Sequence, residues 1–271
     1  MLIDLPSGPL YAYTGGRPLA PQRPTVVFIH GVLNDHSVWI LQSRYLAHHG
    51  FNVLAIDLPG HGRSGGAAPA SVEEAAASVL ALLDALQIEQ AALVGHSWGS
   101  LIALHASATA PQRISHLALV GSAYPMRVAP ALLQQAQEQP LQAIERINQY
   151  SHSSLASGPS VLGPGTWLRG CARALMRRVL ASNPQTNLLQ RGFAACDRYD
   201  QGLQALQRLS RPVLFILGQH DQMTPPKAAQ SLIDAAPTGS RVLRLEAGHA
   251  LMSEAPDAVL HGLRDYLAPR A

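Results

Sequence analysis

The sequence predicts an α/β fold: a mostly parallel central sheet with helices on both faces, interrupted once by a helical insertion. Three observations predict it. Short, continuously apolar runs such as Thr25–Ile29 and Asn52–Ile56 read as strands buried on both faces, as parallel strands are. Helical patterns alternate with those runs, which is the rhythm of crossover connections. That rhythm breaks only between about Ser122 and Ser210, a Gln- and Ala-rich stretch with no strand-like run, and then resumes. A length of 271 residues with 47% hydrophobic residues supplies one large core plus an insertion, so the expected division is core 1–121, insertion 122–210 and core 211–271.

Taken in order, the first firm strand is Thr25–Ile29, ending at His30-Gly31. A helical pattern follows from about Ser37 to His49, and Gly50 is a suitable stop. The strand Asn52–Ile56 ends at Asp57 and enters the turn-rich Leu58-Pro59-Gly60-His61-Gly62-Arg63-Ser64-Gly65-Gly66. Ser71 is the expected N-cap of an Ala/Leu-rich helix reaching about Leu86, with Glu73 and Glu74 in the first turn, where the helix dipole favours them. Ala91–Val94 is a third strand, a helix runs from the turn at Ser97 to about Thr109, and Ile114–Val120 is a fourth strand. Within the insertion, Ser157-Gly158-Pro159 to Gly163-Pro164-Gly165 reads as a loop. Beyond it come the strand Pro212–Leu217, a helix after Pro225-Pro226, the strand Arg241–Leu245 and a last helix from about Pro256 to Leu267.

Composition excludes several classes. Only 14% of residues are charged, and Gly and Pro are plentiful, so neither a disordered chain nor a coiled coil fits. The net charge of +3 is spread out, and the densest basic stretch, Arg169, Arg173, Arg177 and Arg178, has the spacing of a solvated helix face rather than a nucleic-acid patch. Cys171 and Cys196 lack metal-ligand spacing and read as reduced thiols. The first residues show no basic region followed by an apolar run, and no segment approaches a membrane span. A cytoplasmic protein without nucleic-acid or membrane partners is expected, as a monomer or a homodimer.

Gly95-His96-Ser97-Trp98-Gly99 fits the G-x-S-x-G elbow that presents a nucleophilic serine. A strand that turns into a helix within a few residues forces the serine into strained dihedrals and leaves no room for side chains two positions either side. Ser97 then projects at a helix N-terminus, where free N–H groups favour developing negative charge. An acid belongs after a late strand, and Gly218-Gln219-His220-Asp221 provides Asp221, while Gly121-Ser122-Ala123-Tyr124 after the fourth strand offers no carboxylate. His249 follows the last strand and is the candidate general base, giving the order Ser97, Asp221, His249. The N–H groups of Val32 and Trp98 are the expected oxyanion donors. Among the competing histidines, His96 is expected to pack or bridge locally, His30 to support the oxyanion loop, His61 to lie in a turn and His220 to be a loop residue.

With these motifs, His30-Gly31, Asp57–Ser64, Gly95–Gly99, Gly218–Asp221 and Ala247–His249, the chain resembles the α/β-hydrolase superfamily of small cytosolic hydrolases over essentially its whole length. The resemblance implies an α/β-hydrolase fold in which 122–210 is a helical cap over the active site. Trp98 after the serine is similar to the pattern in proline iminopeptidases, which carry Gly where this chain has His96. The expected activity is hydrolysis of an ester of a small, moderately apolar substrate through an acyl-enzyme on Ser97, with no metal or organic cofactor. Carbon–carbon cleavage of a diketone or ring-fission product by the same triad is the alternative, and thioester, lactone, amide and haloperoxidase chemistry remain open. A ligand receptor on a hydrolase scaffold is a different class, disfavoured because all three triad positions are filled. Of the insertion's apolar residues, Met126, Leu132, Leu133, Ile144, Leu155, Leu168 and Met176 have the spacing of internal packing, whereas Tyr124, Trp167 and Met223 are expected to reach substrate.

Overall fold

The computed structural model describes residues 1–154 and 167–268. Leu155 and the expected loop at 157–165 lie outside the described residues. The chain opens with a hairpin that has no continuous apolar run: β1 (Leu2–Leu5) and β2 (Gly8–Tyr13) pair antiparallel, and only alternate residues are buried. Strands β3 (Thr25–Ile29) and β4 (Asn52–Ile56) follow, both buried throughout because sheet neighbours and helices cover them. Between them a 3-10 turn, His36–Trp39, leads into α1 (Ile40–His48). Helix α2 (Val72–Ala85) starts where expected, with the Ser71 side chain accepting from the Glu74 N–H. Then come β5 (Ala91–His96), α3 (Trp98–Thr109) and β6 (Ile114–Val120).

Five helices are described between β6 and the next strand: α4 (Pro130–Glu138), α5 (Pro140–Ser151), α6 (Leu168–Ser182), α7 (Leu188–Arg198) and α8 (Gly202–Gln207). Ile144, Met176, Leu188, Leu189 and Phe193 form a core of their own, into which Leu33 and Ala68 reach from below. The insertion is not an independent globule, since Ala195, Cys196, Ala205 and Leu206 join the main core. The sheet then resumes with β7 (Val213–Gly218), α9 (Gln230–Ala235), β8 (Arg241–Leu245), the single turn α10 (Leu251–Glu254) and α11 (Pro256–Leu267).

The eight strands run in the order β1-β2-β4-β3-β5-β6-β7-β8, antiparallel at the β1 end and parallel from β4 onward. Two apolar layers flank the sheet. One holds Val79, Leu83, Leu101 and Leu104 from α2 and α3, and the other Leu46, Val259 and Leu263 from α1 and α11. Because β3 and β5 are neighbours with Ile29 opposite Gly95, the segments leaving their carboxyl ends emerge side by side. The order reverses at that point, which is where open α/β sheets place ligands. Among the described residues no helix is long and apolar enough to cross a membrane.

Candidate active site

Ser97 stands between the last residue of β5 and the first of α3, with φ 54° and ψ −119°. Positive φ costs a residue with a Cβ free energy, so the surroundings must hold it there. They do so through the Ser97 N–H, which donates to the Val120 carbonyl at 2.9 Å, and through the glycines. A Cβ on Gly95 would strike the Gly99 carbonyl, and one on Gly99 would strike the carbonyls of Ile29 and His30. Ser97 itself is half-buried while Val94, Gly95, His96 and Trp98 are buried, so the turn presents one side chain and hides its neighbours.

Asp221 and His249 approach from the ends of β7 and β8. His249 Nδ1 lies 2.8 Å from Asp221 Oδ2, in a pair that is nearly inaccessible to solvent. Asp221 Oδ1 accepts the N–H groups of Met223 and Thr224, each at 2.8 Å, and the Thr224 hydroxyl lies 2.8 Å from Oδ2. Burial alone would raise the Asp221 carboxyl. The charge and hydrogen bond of His249, with the Thr224 donors, outweigh it and hold the group below its usual range. An ionised Asp221 accepts the Nδ1 proton of His249, which leaves the lone pair on Nε2.

The segment after β3 runs against the serine: a Cβ on Gly31 would lie 3.2 Å from Ser97 Cβ. His30 braces it. The Leu58 N–H donates to His30 Nε2 at 3.1 Å, so Nδ1 carries the proton and donates to the Gly31 carbonyl at 2.8 Å. Burial, opposed by that hydrogen bond, lowers the His30 pKa and favours the neutral ring this pattern requires. Trp98 is the first residue of α3, where an N–H has no partner within the helix. Its indole is buried in the main core and does not border the cavity described below. His96 bridges as expected, its Nε2–H donating to the His249 carbonyl at 2.9 Å, and burial pushes its pKa down to about 3. His61 lies buried in its turn, with Nδ1 3.0 Å from the Pro59 carbonyl, while His220 pairs with Glu246 at 2.8 Å.

Ser97 and His249 border one cavity of about 560 Å³. Its walls are the segment from Gly31 to Leu41, helices α5, α6 and α7, and the turn from Ala250 to Pro256. On α6 the residues Leu168, Cys171, Leu175 and Arg178 face it at helical spacing, and Arg178 is the single Asp, Glu, Lys or Arg among the described lining residues. Arg178 is paired with Asp35 across the two walls at 2.8 Å. Val32 and Met223 both border the cavity. Tyr124 and Trp167 do not, which corrects the sequence reading. The Tyr124 ring packs against Gly202 and lies 6.3 Å from the ring of Tyr199, turned into the main core. Trp167 lies against Gly170 with the Arg173 guanidinium 5.2 Å over its ring and is 57% exposed, one residue before the stripe that does face inward.

Asp35, His36 and Asp57 offer three ligand atoms within 4.8 Å of one another, but protein donors already engage them. Asp35 takes Arg178 and the Ser37 N–H, while Asp57 takes the N–H and Nδ1 of His36 and the N–H of Arg63. That set ties loops together and leaves little for a cation. Sequence reasoning missed the wall at Asn34–Leu41, Thr224 beside Asp221, and the buried Glu254 that accepts from the N–H before His249. Asp221-x-x-Thr224 carries a local signal, because a hydroxyl residue three positions after an aspartate is placed to complete a turn around it.

A family model described as alpha/beta hydrolase fold matches residues 24–256. Over 251 residues the chain is 29% identical to the pimeloyl-[acyl-carrier protein] methyl ester esterase of Vibrio vulnificus, a match that covers 90% of this chain and 94% of that one. It is 41% identical over 110 residues to the dihydrolipoyllysine-residue acetyltransferase component of the acetoin cleaving system of Pseudomonas putida, covering 40% of this chain and only 28% of that protein. Among solved structures, the enol-lactonase from Burkholderia xenovorans superposes with a TM-score of 0.83 at 23% identity, covering 98% of this chain and 99% of that one, a likeness of fold.

Proposed function

The chain belongs to the alpha/beta hydrolase fold family, and we propose that it is a serine hydrolase cleaving an ester of a small, moderately apolar substrate through an acyl-enzyme on Ser97. The observation that carries this reading is the opening of a strained serine elbow and an Asp221-held histidine onto one largely apolar cavity. The esterase relative, which matches nearly end to end, supports the reaction class.

In the first step Ser97 Oγ attacks the ester carbonyl while His249 Nε2 takes its proton. Asp221 keeps the Nδ1 proton in place and offsets the positive charge that His249 acquires. The Val32 and Trp98 N–H groups face the carbonyl oxygen as it becomes an oxyanion, each contributing about 3 kcal/mol to the transition state. His249 returns the proton to the departing alcohol, then activates water to release the acid and free Ser97. The helices between β6 and β7 act as a cap that excludes water and sets the acyl or alkyl length, and the apolar stripe of α6 favours hydrocarbon there.

The test is hydrolysis of p-nitrophenyl esters of increasing chain length by the natural protein and by Ser97→Ala. A burst followed by steady turnover, both lost in the variant, is the expected result. Turnover that survives Ser97→Ala would place the chemistry elsewhere. Should a fluorophosphonate label Ser97 while no ester is turned over, the nucleophile stands and carbon–carbon cleavage of a diketone becomes the better reading.

A further inference from the structure

The proposed mechanism leaves one buried carboxyl beside the general-base loop without a role. Glu254, at the end of α10, is 8% exposed, in Coulomb range of Asp221, and its carboxylate takes two backbone donors from different parts of the molecule. Oε2 accepts the Gly248 N–H at 2.9 Å, one residue before His249. Oε1 accepts the Ser153 N–H at 2.7 Å, two residues beyond the end of α5. A second tie runs parallel, because the Ala250 N–H donates to the Ser151 carbonyl at 2.9 Å. The histidine is therefore held on both sides by the segment that ends α5. There is no slack in this arrangement: a Cβ on Gly248 would lie 2.7 Å from the Ser153 nitrogen and 2.9 Å from both Glu254 Oε2 and the Ser151 carbonyl oxygen.

We propose that Glu254 is a positioning residue that locks the general-base loop to the end of cap helix α5, so that His249 is aligned only while α5 is docked. The proposal rests on the reading of His249 as general base. Its physical basis is that a carboxylate binding two N–H groups on separate segments fixes their separation, whereas two independent bonds would let each segment move alone. Helix α5 also contributes Ile147 and Asn148 to the cavity, so the same contact places a substrate-facing wall and the base together. Burial, helped by the charge of Asp221, raises the Glu254 carboxyl above its ordinary range, against the pull of the backbone N–H groups of Ser153, Gly248 and Ala250. Its ionisation therefore costs the fold free energy, and the two ties it makes give that charge a use in alignment.

The test compares Glu254→Gln with the natural protein, and with Leu263→Ala as a control whose buried α11 side chain lies in the core layer away from the cavity. The amide keeps one acceptor oxygen but turns an NH₂ towards one of the two N–H groups. Hydrogen exchange should accelerate together in the peptides spanning 147–154 and 246–254, and kcat for the best p-nitrophenyl ester should fall roughly tenfold to hundredfold while KM moves far less. Exchange that is unchanged, or faster in only one of the two peptides, overturns the coupling. So does an equal loss of kcat in Leu263→Ala under conditions of matched stability, or a change confined to KM. If the natural protein hydrolyses no ester, the functional reading fails by itself, and the exchange arm still decides whether Glu254 couples the two segments.

Discussion

Asp221 sits between two opposing forces. Burial makes an ionised carboxylate costly, and the His249 charge with the N–H groups of Met223 and Thr224 makes it favourable, so the balance depends on every donor being in place. Asp221→Asn keeps an oxygen for the two backbone donors but presents an NH₂ to His249 Nδ1. The ring then takes the tautomer with its proton on Nε2, where it cannot accept the Ser97 proton. On the proposed mechanism kcat for ester hydrolysis should fall by roughly 10³–10⁴, while fluorescence and circular dichroism still report a folded protein. Thr224→Val provides the graded comparison: it deletes only the hydroxyl near Oδ2 and the Gly121 carbonyl, so its loss should be much smaller. Equal losses in the two variants would mean that the loop, rather than the tautomer, limits the reaction.

At the level of elements, the sequence was legible wherever one local rule decided the outcome. Continuous apolar runs gave β3, β4 and β6 to the residue, and the Ser71 cap gave the start of α2. The β1–β2 hairpin was missed because only alternate residues of it are buried and Pro9 lies within it, so it lacks the apolar run that marks its neighbours. The elbow was readable because glycine is required by backbone collisions within a few residues, whereas the cavity wall depends on which side of each helix faces inward once the helices are packed. Trp167 and Leu168 make the point: they are adjacent, yet the rotation of α6 turns Leu168 towards the cavity and leaves Trp167 outside. A consequence belongs to this same helix. Leu175 lies one turn beyond Cys171 on the cavity stripe, so Leu175→Trp should shorten the preferred acyl chain, with kcat/KM for the longest ester falling roughly tenfold or more and the shortest little changed. Equal effects on all chain lengths would show that α6 does not border the acyl path.

For the whole molecule, Asp57 works at a distance from the chemistry by joining three loops. It lies at the end of β4 with no exposed side chain; Oδ1 holds the N–H and Nδ1 of His36, Oδ2 holds the Arg63 N–H, and its own carbonyl accepts from the Ser64 hydroxyl at 2.6 Å. The same Ser64 oxygen accepts the Tyr11 N–H at 2.8 Å, which ties the hairpin strand β2 to this turn. The motif Asp57–Ser64 is therefore structural, and its contribution to stability depends on pH. Burial raises the Asp57 carboxyl, but the His36 and Arg63 donors outweigh it and leave the folded value below the ordinary 3.8. A depressed carboxylate contributes stability that is fully present above the unfolded value and disappears as pH falls through the folded one. Asp57→Asn should accordingly unfold at lower urea concentration at pH 7, a loss of roughly 2–3 kcal/mol for a buried NH₂ left facing N–H donors. The gap between variant and natural protein should narrow as pH is lowered below about 3.8 in the same titration. Glu254 runs the other way, since its raised carboxyl favours the fold when protonated and that contribution is lost as pH rises through its folded value. A gap between Asp57→Asn and the natural protein that stayed constant down to the acid transition would mean that Asp57 stabilises by shape alone, and that its charge takes no part in holding the three loops.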